Sequence, residues 1–251
     1  MSPGPRPKKY APSERTLSRR DLLSWLGKGS VLALSSPLLQ ACAGGGLIPG
    51  LPWFGDVADG FEFKPGPRDD EVFDRWWERT VDRQDVQQIL DRWQLRVDGM
   101  VGESRSYSFA DMIALQRQDQ VTDFHCVEGW SVHDVPWNGM HIATLLEQVG
   151  VESGATHITF HTIGGRYNES LPLDVAMEPK TLLGYGVAGN TLPLEHGFPL
   201  RLVVPRLYGY KSAKYVERIE LTDQPVEGYW VEAGYPYGGE VAESRLREGK
   251  Y

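Results

Sequence analysis

The stretch Phe124-His125-Cys126-Val127-Glu128-Gly129-Trp130 carries the one cysteine outside the first 42 residues. The other cysteine, Cys42, closes a segment that reads as an export signal. A protein that leaves the cytoplasm with one thiol in its folded part has no internal disulfide partner for it. Cys126 is then either an inert core residue or a group kept for chemistry. The rest of the chain decides between the two.

Ser18-Arg19-Arg20-Asp21-Leu22-Leu23 is a twin-arginine pattern, with Lys8, Lys9 and Arg15 upstream. The apolar run from Leu22 to Leu39 is diluted by Gly27, Lys28, Gly29 and Ser30. A membrane span needs about 20 mostly apolar residues, so this run reads as a signal. It ends in Leu38-Leu39-Gln40-Ala41-Cys42, which resembles a lipoprotein cleavage box with Cys42 as the lipidated residue. The competing reading is an ordinary amphipathic N-terminal helix. The twin-arginine route carries folded proteins, commonly with a cofactor already inserted, so it points to a bound cofactor. The expected location is the periplasm or the outer face of the membrane, with membrane contact only through a lipid on Cys42.

The chain has 26 basic and 34 acidic residues. Residues 1–42 hold seven of the basic and two of the acidic ones, which leaves 19 and 32, a net charge of −13. So acidic a body argues against nucleic acid and against a broad contact with anionic lipid. Residues 43–68, with Gly44-Gly45-Gly46 and Pro49, Pro52, Pro65 and Pro67, read as a tether. Residues 69–251 read as one domain.

Within that domain the apolar spacing predicts a helix over Asp69–Trp93. Leu95–Val101 reads as a hairpin turning at Asp98-Gly99. Ser108 caps a short helix through Leu115, with Asp111 completing a capping-box variant. A short strand leads into Cys126. A helix over His141–Val149 stops at Gly150. Thr156–Thr162, Arg201–Val204 and Tyr215–Leu221 read as strands, and Leu173–Met177 as a helical turn. Short strands with intervening helices and long loops indicate an α+β fold with a mixed sheet rather than βαβ winding. No glycine-rich dinucleotide fingerprint is present.

All six histidines lie between positions 125 and 196: His125, His133, His141, His157, His161 and His196. None shows the tight spacing of a zinc site, and no short His/Cys/Met loop supports copper. A protease-like role for Cys126 would need a base brought near by the fold, since His125 points elsewhere in an extended segment. Downstream, cations gather in an otherwise acidic domain: Arg201, Arg206, Lys211 and Lys214, with Arg166 earlier. Pro205–Lys214 is a loop with Tyr208, Gly209, Tyr210 and Ser212 among those charges. Backbone N–H groups, hydroxyls and cationic side chains of this kind suit a phosphate; the alternative is a solvated charged loop. A thiolate together with an anion cradle points to a soft metal on a phosphate-bearing organic cofactor.

These residues resemble the sulfite-oxidase-like molybdopterin oxidoreductases, in particular their small single-domain exported members. The resemblance covers residues 94–236. It is carried by Phe124-His125-Cys126-Val127-Glu128-Gly129-Trp130-Ser131 with Val135-Pro136-Trp137, by Phe160-His161-Thr162, by Gly197-Phe198-Pro199-Leu200-Arg201 through Tyr208-Gly209-Tyr210-Lys211-Ser212-Ala213-Lys214, and by Gly228-Tyr229-Trp230. It implies a molybdenum held by the dithiolene sulfurs of molybdopterin and by the Cys126 thiolate. Thr162 and His196 would contact the cofactor, His196 standing where relatives often have asparagine. Arg201 would bind the pterin phosphate, with Ser212, Ala213 and Lys214 closing around it. The substrate side would be Arg166 and Tyr208, with Tyr167 and Arg206.

The departures from the pattern are informative. No counterpart to the family's upstream Asn and Tyr-Glu contacts stands out between residues 69 and 93. Val127 and Glu128 follow the cysteine where sulfite oxidases carry arginines. The chain ends soon after Tyr237, leaving no room for their dimerisation domain, so a monomer is expected. The implied activity is two-electron oxygen-atom transfer on a sulfur-type substrate, either sulfoxide reduction or sulfite-like oxidation. There is no C-x-x-C-H haem site and too few cysteines for an iron–sulfur cluster, so a separate haem-containing redox partner is implied. The rival from another class is a non-catalytic exported lipoprotein that uses the fold as a binding module.

Overall fold

The computed structural model describes residues 71–80, 89 and 92–251. The expected export signal, Cys42 and the expected tether of residues 43–68 lie outside them. Two five-stranded sheets form among the described residues. The first runs in the order β2 (Arg105–Tyr107), β1 (Leu95–Gly99), β10 (Val216–Thr222), β5 (His157–Thr162), β6 (Asn168–Pro172). Its β1–β10 pair is parallel, with Val97 opposite Ile219, and the other pairs are antiparallel. The second runs β3 (Gln118–His125), β4 (Ser131–His141), β7 (Leu182–Val187), β8 (Asn190–Thr191), and β9 (Arg201–Val203) also pairs with β7. Short helices among the described residues include α1 (Glu71–Asp74), α2 (Phe109–Ala114), α3 (Ile142–Val149), α4 (Leu173–Ala176) and α5 (Tyr229–Glu232). This is the α+β fold with mixed sheets that the segment pattern predicts.

Local chemistry explains several elements. Ser108 Oγ accepts from the Asp111 backbone N–H at 3.1 Å, and the Asp111 carboxylate accepts from the Ser108 N–H at 2.8 Å, so the capping box forms at α2. In α3 the residues Ile142, Leu145, Leu146 and Val149 fall on one helical face and are buried, and Gly150 ends the helix at φ +69°. Truncating a fully buried leucine such as Leu145 to alanine would cost about 2–5 kcal/mol.

Two local expectations are corrected. The helix expected over 69–93 is interrupted: α1 stops at Asp74 and residues 76–80 are not helical, while Ile89 and Arg92 are helical again and residues 69, 70, 81–88, 90 and 91 lie outside the described residues. Tertiary contacts take this segment instead: Arg79 bonds Glu128, and Thr80 Oγ1 accepts from Lys214 Nζ. The hairpin exists, with Leu95 opposite Tyr107, but it turns after Gly99. At Gly99, φ is +86° and a Cβ would sit 2.2 Å from the Leu221 carbonyl oxygen. The glycine is there to let β10 approach, not to make the turn. Strand β4 was not legible from sequence because Pro136 and the left-handed Asp134 (φ +57°) interrupt its pattern.

The strand order positions the site. The loop after β9 leaves the second sheet and enters β10 of the first, with Arg201 and Lys214 bridged across its base. The C-terminal ends of β3 and β5 deliver Cys126 and Thr162 to the same place.

Candidate active site

A cavity of about 300 Å³ lies at that meeting point. Its wall includes Cys126, Thr162, His196, Arg201, Ser212 and Lys214, six of the residues singled out from sequence. Ala213 is buried behind the wall, and its carbonyl accepts from the Leu202 N–H at 2.8 Å, tying the loop to β9. Arg166 is exposed and is not on the wall. Tyr208 also stands off it, although Gly209 and Tyr210 line it. Arg206 turns away to pair with Glu178 at 2.9 Å, whereas Tyr167 does reach the wall.

Cys126 follows β3 in a turn closed from both sides. Its N–H donates to the Trp130 carbonyl at 2.9 Å, and the Gly129 N–H donates to its own carbonyl at 3.1 Å. Its Sγ lies 3.7 Å from Glu128 Oε2. Burial pushes the thiol up to about 11, and the Glu128 charge adds to that rise while Arg79 opposes it. Without a metal the sulfur is therefore a protonated thiol at neutral pH. Glu128 takes bonds from Arg79 Nη2 and from Trp130 Nε1, both at 3.0 Å. Burial raises its carboxyl, but those two donors outweigh burial and hold it below the usual range, so it stays anionic.

The cations are unusual in their partners. Arg201 is 2% exposed, and its guanidinium donates only to backbone carbonyls, His196 O at 2.9 Å and Ser212 O at 3.3 Å among them. Among the described residues no carboxylate pairs with it. It lies over the rings of Trp76, Phe124 and Trp137 at 5.2–5.4 Å. Burial lowers its pKa to about 10. Lys214 donates to Thr80 Oγ1 at 2.6 Å and to the Glu195 carbonyl at 2.7 Å, with Glu78 as far as 3.5 Å. Its side chain is 16% exposed, and burial pushes it down to about 7. Gly209 lets the loop press on Phe124, since a Cβ there would fall 2.4 Å from that ring. Tyr215 holds a left-handed φ of +63° directly after Lys214, a strained backbone of the kind that collects at sites.

One wall was missed from sequence. Trp76, Trp77, Glu78, Arg79 and Thr80 all line the cavity. The clustered aromatics and charges in Trp76-Trp77-Glu78-Arg79-Thr80 were the available signal, but the helical spacing masked it. His125 points away: it is buried and bonds Ser131 Oγ at 2.8 Å. Among the described residues no three His, Cys, Asp or Glu side chains converge, so Cys126 and the histidines do not build a zinc or copper cage.

A sulfite-oxidase-type fold that brings one thiol, the buried Arg201 and the largely buried Lys214 to a single cavity defines the class: a molybdopterin-binding oxidoreductase. Residues 82–230 match the oxidoreductase molybdopterin binding domain, and the chain belongs to that family. It is 38% identical over 151 residues to the uncharacterized oxidoreductase YuiH of Bacillus subtilis (strain 168), covering 60% of this chain and 76% of that protein. It is 31% identical to the protein-methionine-sulfoxide reductase catalytic subunit MsrP of Gluconobacter oxydans (strain 621H), covering 91% of this chain and 77% of that one. With the putative protein-methionine-sulfoxide reductase subunit YedZ1 of Azospira oryzae it shares 35% over 147 residues, and it spans 55% of that protein. The sulfane dehydrogenase SoxCD of Paracoccus pantotrophus has the same fold, with a TM-score of 0.50 at 23% identity over 54% of this chain and 39% of that one.

The cavity's chemistry fits the cofactor. A buried thiol needs a cation to become a thiolate, and a metal supplies it by displacing the proton. Arg201, buried with no carboxylate partner among the described residues, and Lys214, whose carboxylate contact is Glu78 at 3.5 Å, leave positive charge that suits an anion. The rings of Trp76, Phe124, Trp130, Tyr167, Tyr215, Trp230 and Tyr235 offer flat walls to a heterocycle.

Proposed function

We propose that the chain is the catalytic body of a molybdenum-dependent sulfoxide reductase acting on methionine sulfoxide. The observation that carries this reading is the sharing of one cavity by the Cys126 thiol and the cations Arg201 and Lys214. In it, Cys126 Sγ ligates the metal. Arg201, Lys214 and the Ser212–Ala213 backbone hold the pterin phosphate, while Thr162 and His196 contact the pterin. The bound cofactor supplies two-electron exchange of an oxygen atom.

The residues at the mouth choose the substrate. Glu128 puts a fixed negative charge 3.7 Å from the sulfur. A sulfite anion would meet Coulomb repulsion there, whereas a neutral sulfoxide would not. Trp77 and Val127 are exposed on the rim and Trp130 is half-buried, which suits an apolar thioether chain. Relatives named as protein-methionine-sulfoxide reductases agree with this choice. Reduction of a sulfoxide to a thioether and water takes up two electrons and two protons. A haem-containing partner supplies the electrons in this reading, and solvent at the open mouth supplies the protons. The twin-arginine segment and Cys42 put the enzyme on the outer side of the membrane near that partner, raising its effective concentration. No helix among the described residues is long and apolar enough to cross a membrane.

Cys126→Ser tests the reading most directly. Turnover of methionine sulfoxide should fall to background while the metal-free fold is retained, as judged by circular dichroism and by molybdenum and pterin analysis. Wild-type turnover in that variant would overturn the assignment of Cys126. Faster turnover of sulfite than of sulfoxides by the wild type would overturn the choice of substrate.

A further inference from the structure

We infer that Arg245, on the C-terminal segment, is a positioning residue that sets the orientation of the Cys126 loop toward the metal; this rests on Cys126 being the protein ligand. Arg245 ends a 3-10 turn at Glu243–Arg245 behind the cavity, remote in sequence from the residues it touches. Its Nη2 donates to the Trp130 carbonyl and to Ser131 Oγ, both at 2.9 Å, and its Nη1 donates to the Cys126 carbonyl at 3.3 Å. The Cys126 and Trp130 carbonyls already accept the two bonds that close the Cys126 turn. Their second lone pairs go to one rigid guanidinium fork, which fixes the two peptide planes relative to each other.

The same guanidinium lies 5.5 Å over the Tyr208 ring, on the loop that carries Ser212 and Lys214. The segment before it is stitched to that loop as well: the Tyr208 N–H donates to the Gly239 carbonyl at 2.8 Å, and the Val241 N–H donates to the Arg206 carbonyl at 3.0 Å. One side chain thus ties the thiol loop to the cation loop. Among the described residues no carboxylate pairs with Arg245, so its charge is directed at carbonyl dipoles. Arg247, two residues on, is the contrast. It pairs with Asp123 at 2.5 Å and Asp134 at 2.9 Å and touches none of the backbone of residues 126–130. Arg247 is an ordinary latch for the tail.

A donor fork behind a metal ligand acts through the ligand's orientation, and its loss costs on the order of 10–100-fold in metal affinity or activity. The test uses full-length holoenzyme carrying Arg245→Ala, Arg245→Lys, Arg247→Ala or Cys126→Ser, and reads the electron paramagnetic resonance of the half-reduced metal with kcat and KM. Both Arg245 variants should show altered g-values and a kcat lower by roughly tenfold with KM little changed. Lysine keeps the charge but cannot span two carbonyls and a hydroxyl, so it should not rescue. Arg247→Ala should lower thermal stability and leave the spectrum as in wild type.

A wild-type spectrum and kcat in either folded Arg245 variant overturns the proposal. So does the same spectral change in Arg247→Ala, which would make it a general loosening of the tail. Failure of both Arg245 variants to accumulate also overturns it, by making the contact a folding determinant. Retention of the wild-type metal signal in Cys126→Ser would instead sink the ligand assignment on which the proposal stands.

Discussion

Lys211 and Lys214 stand three residues apart on one loop and live in opposite electrostatic worlds. Lys211 is 1% exposed and pairs with Glu169, itself fully buried, at 2.5 Å, with a further bond to the Ser170 carbonyl at 3.0 Å. Lys214, with Arg201 beside it, is largely buried against the Thr80 hydroxyl and the Glu195 carbonyl, and its carboxylate partner, the partly exposed Glu78, stands off at 3.5 Å. The first charge is satisfied within the protein and serves the fold. The second pair of charges shares one distant carboxylate, Glu78 at 3.5 Å from Lys214, and faces a cavity. A buried cation without a carboxylate is costly to keep, so its persistence marks a place where an anion belongs.

The largest expected effect comes from breaking the satisfied pair. Lys211→Met should cost about 3–5 kcal/mol, because it strands the Glu169 carboxylate, one oxygen of which already has no partner. The double variant Lys211→Met/Glu169→Leu should recover most of that loss in chemical denaturation. A double variant as unstable as the single one would show that the pair is not the source. The cations of the cavity should respond the other way. Arg201→Met should leave the metal-free protein at least as stable as the wild type, while cofactor retention falls by about 10–100-fold, the equivalent of one charge-assisted bond. Equal cofactor content by pterin fluorescence would count against the cradle.

Lys214 gives a pH signature. Its folded pKa of about 7 lies below its ordinary 10.5, so between those values the unfolded chain holds more protons. The stability of metal-free wild type relative to Lys214→Met should therefore rise with pH across that window. Binding of inorganic phosphate recharges the amine, so affinity for the dianion should weaken above pH 7, by up to roughly tenfold per pH unit. Calorimetric titrations at several pH values would show this, and an unchanged affinity from pH 7 to 9 would contradict it. The smallest effect is expected at Arg79→Ala. Its ion pair with Glu128 is nearly half exposed on both sides, so thermal denaturation should register only about 0–1 kcal/mol.

Much of the site could be read in advance, because its parts are chemically odd where they stand. A lone thiol beyond residue 42 and a run of cations in an acidic body are visible without coordinates. The capped helices α2 and α3 were legible for a similar reason: Ser108, Asp111 and Gly150 act on their nearest neighbours. What escaped depended on distance. The cavity wall at residues 76–80 looks helical by spacing and is drawn out of that state by Glu128 and Lys214. Arg166 and Tyr208 looked suitable by type, yet the loops carrying them turn them off the wall. Arg245 carries no sequence signal at all, since its partners are backbone carbonyls more than 110 positions away.

Residue chemistry by itself pointed to the α+β class, to Cys126 as a candidate ligand and to a phosphate-bearing cofactor, because those follow from charge, periodicity and the absence of a second cysteine beyond residue 42. The tertiary structure alone decided which of two neighbouring lysines is neutralised and which is left open to the cavity. Whether a carboxylate lies within bonding distance is set by how two sheets are joined, and no local rule along the chain encodes it.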